Sequence, residues 1–288
     1  THHVLVDGWS MPLLMQDLMA LYATRGEVSL LPRVRSYRSF LEWVTARDRE
    51  SSREAWAQTF AGFEEPTLLA PQTPRHPGLQ GDDRVKVELD AERLVAVSSA
   101  AARLGVTVNT LVQAAWGVLL GRLTGAEDVV FGATVSGRPA DLPGVESMVG
   151  LFINTLPVRV AFDPDEPVSV FLERLQGEQA ALLGHHHLGL TEIQRATSPS
   201  VAFDTLTVFE SYPLDEEALA EQSASIDGMA VTGVGTHDAT HYPLSLFVHL
   251  RSALEVELRY QRALFDRDQV ETLVERFVRA LEAMAQQP

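Results

Sequence analysis

The chain has 288 residues, with 39 Asp and Glu against 23 Lys and Arg, a formal net charge of −16. That balance excludes the basic surface on which nucleic-acid binding or docking on an anionic membrane depends, and a composition of 45% hydrophobic and 22% charged residues excludes disorder along the whole length. There is no cysteine, which removes disulfides, thiolate nucleophiles and Cys-based zinc sites together, and the only lysine is Lys86, so no G-K-[ST] phosphate loop exists.

At roughly 150 residues per domain the length suggests about two domains or lobes. The first residue is Thr1 and a chemically loaded motif follows at once, so the chain reads as a piece of something longer. From Ser10 an amphipathic run carries Met11, Leu14, Met15, Leu18 and Leu21 at helical spacing, with Ser10 as N-cap and Pro12 in the first turn. Gly26 and Pro32 interrupt it. Tyr37, Phe40, Trp43 and Val44 mark a second helix that continues, more charged, through Trp56 and Phe60; Trp43 and Trp56 read as core. Six prolines and glycines between Phe63 and Asp83 make an extended linker and the best domain boundary. Beyond it, Arg84–Leu89 alternates like a strand. Asp90–Leu104 and Val108–Leu123 read as helices, the second apolar nearly all round and therefore buried. Asp128–Val135 is a β-branched strand, 136–146 a Gly/Pro loop, and 148–162 an apolar segment. Val168–Leu183 reads as a helix, Phe203–Phe209, Pro243–Leu250 and Leu254–Tyr260 as strands, and Asp266–Met284 as a final helix.

The chemistry is concentrated in residues 1–10, T-H-H-V-L-V-D-G-W-S. Acyl transfer from a thioester to an amine needs a group that takes or positions the amine proton, and a donor near the developing oxyanion. A neutral imidazole does the first and an imidazolium the second. A carboxylate four positions on can pin the backbone by pairing with an arginine, and a glycine beside it lets a thin substrate pass close to the main chain. His3, Asp7 and Gly8 supply these three types. His2 and His3 are adjacent, so on extended backbone they point to opposite sides and only one faces a given tunnel. Taken by itself the segment also reads as a strand end followed by an Asp7-Gly8 turn.

The segment His2–Ser10 resembles the core motif of the condensation domains of non-ribosomal peptide synthetases, and further matches follow in that family's order. Tyr37-Arg38-Ser39-Phe40 with Trp43 resembles the next helical motif. Ser136-Gly137-Arg138-Pro139 leads into Val149–Arg159, which resembles the V-G-x-F-x-N-T segment, and His187–Gln194 resembles an H-x-x-x-x-E motif. The two histidines separate the chain from heterocyclisation relatives, Asn154 and Thr155 from epimerisation relatives, and His3 from halogenase-recruiting relatives. The D-F-G-W-G motif of plant-type acyltransferases is absent.

The resemblance implies an α/β, chloramphenicol acetyltransferase-like two-lobe fold with mixed sheets covered by helices and the first lobe incomplete. Residues 1–70 are then the end of that lobe, 71–83 the inter-lobe linker and 84–288 the second lobe. It implies peptide-bond formation between carrier-tethered aminoacyl or peptidyl thioesters, with His3, His2, Asp7 and Gly8 as catalytic-motif residues. Trp9, Ser10, Asn154, Thr155, Thr240 and His241 border the substrate tunnel. Asn154 and Thr155 also read as a buried polar pair satisfying backbone, and Thr240 and His241 as turn residues. The arginine expected to pair with Asp7 belongs to the part upstream of the motif, which would leave Asp7 less well anchored. The implied partners are donor and acceptor carrier proteins bearing phosphopantetheine, an adjacent adenylation domain and the rest of the first lobe, with no nucleic acid or membrane, no resident cofactor and no metal, in a cytoplasmic setting. A non-catalytic carrier-docking module and acyl transfer to a free amine or alcohol are the competing readings. His185, His186 and His187 are expected to cap a helix end rather than bind metal, because neighbouring side chains diverge.

Overall fold

The first two helices after the Pro/Gly-rich stretch carry their own starts and stops. Asp90 accepts the Arg93 N–H at 3.0 Å and opens α4 (Ala91–Leu104), which Gly105 closes in the left-handed region at φ 67°. Thr107 accepts the Thr110 N–H at 3.0 Å and opens α5 (Val108–Thr124), closed by Gly125 at φ 79°. In this computed structural model residues 4–76, 78–198, 201–210, 240–251 and 253–286 are described.

The apolar α5 is buried on every side, as its composition predicts. Gly117 lets it approach the sheet: a Cβ there would stand 2.6 Å from Val160. The strands β1 (Asp82–Leu89), β2 (Asp128–Val135), β3 (Asn154–Ala161), β4 (Thr205–Glu210), β5 (Leu244–Leu250) and β6 (Leu254–Gln261) form one mixed sheet in the order β1-β6-β5-β4-β2-β3. β4 runs parallel to both β2 and β5, and the remaining pairs are antiparallel. Strand β1 shows the expected alternation, with Val85 and Leu89 turned into the core. With α4 and α5, α6 (Val168–Ala181) and α8 (Arg267–Gln286) supply the main core against the strands, where the Trp116 and Phe277 rings meet edge to face at 6.2 Å. Among the described residues no single helix is long and apolar enough to cross a membrane.

Three sequence expectations change. The run through Trp56 and Phe60 is two helices, α2 (Arg38–Thr45) and α3 (Arg49–Thr59). Asp48 breaks it by accepting the Glu50 and Ser51 N–H groups as an N-cap. The apolar segment 148–162 becomes regular only at Asn154, because the residues before it satisfy a local side-chain network. A short helix, α7 (Leu190–Ala196), is additional; seven residues give too little periodicity to read. It packs with Trp56, Phe60, Phe63, Leu188 and Ile193 into a second core that includes Val130 and Leu156 of the sheet.

The chain divides into two compact units. The larger contains the sheet and α3 through α8. The described residues of the smaller are 4–47 and 136–153, which include α1 (Ser10–Ala23), α2 and the connection between β2 and β3. The chain passes from one unit to the other at Arg47–Asp48, not in the Pro/Gly-rich stretch. That stretch belongs to the larger unit, where His76 N–H donates to Ala263 O at 3.1 Å and Arg262 to Gln80 O at 2.6 Å.

Removing the Phe277 ring empties the centre of the main core. Phe277→Ala is expected to cost about 3–5 kcal/mol in urea unfolding, whereas Glu275→Ala on the exposed side of α8 changes stability by less than about 0.5 kcal/mol.

Candidate active site

Of the catalytic-motif residues, His2 and His3 lie outside the described residues. The chain emerges at Val4 and Leu5, both exposed, and turns inward at Asp7, whose accessibility is 1%. Its backbone N–H donates to Gly150 O at 3.1 Å. Oδ1 accepts the Ser10 N–H at 2.9 Å, the Ser10 hydroxyl at 2.7 Å and Arg138 Nη2 at 3.1 Å; Oδ2 accepts the Phe152 N–H at 3.1 Å. The carboxylate is thus anchored by four groups from two segments of the smaller unit.

This corrects the expectation about the arginine. Arg138, in the Ser136–Pro139 segment, fills that place, with its side chain only 6% exposed. Gly137 sits at φ 60°, and a Cβ there would overlap the Phe152 carbonyl, so the chain can double back there only with glycine. Arg138 Nη1 donates to the Val145 and Met148 carbonyls, and its guanidinium lies 3.8 Å from the centre of the Phe152 ring. Burial lowers the Arg138 pKa, and the Asp7 charge opposes that shift. The arginine was visible in the sequence, but nothing there showed that the connection between two strands would deliver it to Asp7.

The role expected of Ser10 also changes. The capping acceptor is Asp7, three residues before, while Ser10 lies in the first turn of α1, donates through its hydroxyl to Asp7 and Gly150 O (3.0 Å) and accepts the Gly150 N–H at 3.1 Å. Gly8 O accepts the Met11 N–H at 3.3 Å. Trp9 Nε1 donates to Glu146 O at 2.9 Å. Tyr37 donates to Leu151 O, and its ring covers Gly150 closely enough that a Cβ there would overlap it. Burial and then the Asp7 charge raise the Tyr37 pKa.

The other expected tunnel residues belong to the larger unit. Asn154 opens β3 and donates through Nδ2 to the His186 and Leu188 carbonyls at 2.9 and 2.8 Å. Thr155 faces Thr134 across the β2–β3 pair. The Thr240 hydroxyl meets that of Ser245 at 2.8 Å, and His241 packs on Tyr242 with ring centres 4.4 Å apart. So Asp7 and Ser10 share one network with Gly8 and Trp9 in the turn between them, Asn154 and Thr155 lie together on β3, and Thr240 and His241 precede β5.

The three histidines do not behave uniformly. His187 Nδ1 faces Gly184 O at 3.2 Å, which is the expected carbonyl cap. His185 Nδ1 and His187 Nε2, however, converge on the Ser52 hydroxyl at 2.9 and 3.4 Å. Among the described residues no group of three His, Cys, Asp or Glu side chains is arranged to hold a metal ion. His186 is half-buried and its pKa is pushed down to about 4 by desolvation, then by its two histidine neighbours, so it is neutral at pH 7 and adds no charge to the helix end.

Two tests follow from this geometry. Arg138→Met leaves the Asp7 carboxylate buried without its cation and is expected to cost about 3–5 kcal/mol in urea unfolding; Arg138→Lys keeps the charge, loses the fork and falls between. His186 has its folded pKa below the unfolded one, so its contribution is complete above about pH 6.5 and is lost as pH falls toward 4, an effect on the order of 3 kcal/mol. His186→Gln should flatten that part of the stability–pH curve; an unchanged slope assigns it to other groups.

The Condensation domain family model matches residues 1–288. Among curated proteins the chain is 36% identical to chondramide synthase cmdD of Chondromyces crocatus over 293 residues, covering 100% of this chain and 7% of that protein. It is 32% identical to surfactin synthase subunit 2 of Bacillus subtilis, covering 100% of this chain and 8% of that one. The chain therefore spans only a small part of the length of these relatives. Among solved structures, the first condensation domain of the CDA synthetase superposes with a TM-score of 0.73 at 24% identity, over 99% of this chain and 63% of that one. The X-domain from teicoplanin biosynthesis superposes with 0.77 at 22%, over 100% and 68%. These likenesses agree with the fold class expected from the motifs. The chain belongs to the condensation domain family.

Proposed function

We propose that this chain carries out peptide-bond formation between two thioesters held on carrier proteins. The observation that carries the reading is the Asp7 anchor. The residues that follow His3 in the motif are tied by a buried, fully hydrogen-bonded carboxylate to Ser10, Arg138, Gly150 and Phe152, an investment expected of a segment that must hold a reacting side chain still.

In the proposed reaction the amine of an acceptor aminoacyl thioester attacks the carbonyl carbon of a donor thioester. A C–N bond forms, the C–S bond breaks, and the proton lost by the amine ends on the departing thiol. His3 positions or deprotonates the amine, and Asp7 acts through the backbone as a positioning residue. Gly8, Trp9 and Ser10 in the smaller unit, and Asn154, Thr155, Thr240 and His241 in the larger, are the further residues this reading assigns to the substrates, and His2 is assigned no part in the proton transfer. The arms that hold the substrates are phosphopantetheine groups that belong to the donor and acceptor carriers; the chain itself holds no cofactor. An adenylation domain works beside it, in the cytoplasm. The similarity to synthases that are themselves much longer supports this setting.

The test is intact-mass analysis of loaded donor and acceptor carriers mixed with the polypeptide that carries these 288 residues. Dipeptidyl product should appear on the acceptor and form about 10²- to 10⁴-fold more slowly with His3→Ala. A folded protein that gives no product with several substrate pairs overturns the reading.

A further inference from the structure

We propose that the pocket between α3 and α7 is a binding site for the phosphate group of a small phosphate ester. The pocket encloses about 370 Å³ and is lined by Arg49, Arg53, Glu192, Arg195 and Ala196, all in the larger unit. Arg49 and Arg53 stand one turn apart on α3 and both reach the Glu192 carboxylate, Arg53 through Nε at 2.9 Å and Nη2 at 2.6 Å. Glu192 therefore acts as a tether that sets two guanidiniums side by side. Three arginines against one carboxylate leave two positive charges in the lining. Glu50, mostly exposed, meets Arg53 Nη1 at 2.7 Å from outside the pocket. This concentration of cation stands in a chain of net charge −16.

Helix stability does not account for the arrangement. Arg49 occupies the first turn of α3, where the helix dipole disfavours a cation. One bridge would suffice to join α3 to α7, and two are present. Arg195 makes no ion pair among the described residues and is exposed at the pocket. A free guanidinium beside two pre-set ones offers the paired N–H donors that match a tetrahedral oxyanion, and the volume suits a small polar ligand. The phosphate can be a free small ester or one tethered to a partner protein; the chemistry of recognition is the same. The proposal does not depend on the condensing reading.

The experiment is titration of inorganic phosphate into the chain at constant ionic strength, observing the arginine Nε–H resonances by NMR. Saturable shifts at Arg49, Arg53 and Arg195, absent with chloride, are expected. Arg195→Gln alters an exposed side chain with no ion pair, so folding is preserved, and it should weaken binding about tenfold or more; Arg53→Gln, which loosens the tether, should weaken it as well. Parallel titrations with a carrier protein with and without its phosphate-linked arm separate the sources. Preference for the armed carrier assigns a tethered phosphate, and equal response assigns a free ester. Unchanged affinity in Arg195→Gln, or shifts caused by the unarmed carrier with none from phosphate, overturns the proposal.

Discussion

A carboxylate taken out of water costs several kcal/mol unless its oxygens are matched by charge and hydrogen bonds, and Asp7 is almost completely buried. Its position therefore dictates much of the smaller unit. Ser10 must turn back to donate through both its N–H and its hydroxyl, which starts α1 at that residue. Arg138 must arrive from a distant part of the chain with its own second nitrogen satisfied, and it is, by the Val145 and Met148 carbonyls. Phe152 must present both an N–H to Oδ2 and a ring to the guanidinium. Removing any one of these leaves a charge or a donor stranded in a dry place, so the network is held as a unit.

The same constraint explains why glycine recurs around it. At Gly137 the left-handed backbone and the neighbouring Phe152 carbonyl leave no room for a side chain, and the turn aims Arg138 inward. At Gly150 the Tyr37 ring takes the space a Cβ would fill, so the backbone can both accept from and donate to the Asp7–Ser10 pair. The aromatic group of Tyr37, Phe40 and Phe152 closes the network off from water, with ring centres 4.5–5.4 Å apart. Low dielectric around an ion pair strengthens it where its polar atoms are matched; each Asp7 carboxylate oxygen is, while Arg138 Nε is buried without a hydrogen bond among the described residues, its guanidinium lying over the ring of Phe152.

What the sequence showed follows the range of the forces involved. The core strands and α4 through α6 were legible because periodic burial is local, and in α4 and α5 the caps found at Asp90, Thr107, Gly105 and Gly125 reinforce it. The break between α2 and α3 was less so, because the cap at Asp48 lies inside a continuous helical pattern. The motif residues were found by their types and spacing, but the Asp7–Arg138 contact spans 131 residues and no local rule predicts it. The basic pocket escaped for a similar reason. Arg53 and Glu192 are 139 residues apart, and their adjacency exists only once α7 has packed on α3.

Asn154 satisfies backbone, as one of its two readings expected. Its amide spans two carbonyls, those of His186 and Leu188, and both need a donor. An aspartate at the same place would offer only acceptors when ionised, leaving two buried carbonyls facing a charge. A single Nδ2 group with two hydrogens is therefore the chemistry this turn asks for. By fixing the carbonyls on either side of His187, it helps fix the turn from which His185 and His187 reach Ser52 on α3. The first residue of β3 thus helps set the conformation of a loop more than thirty residues on.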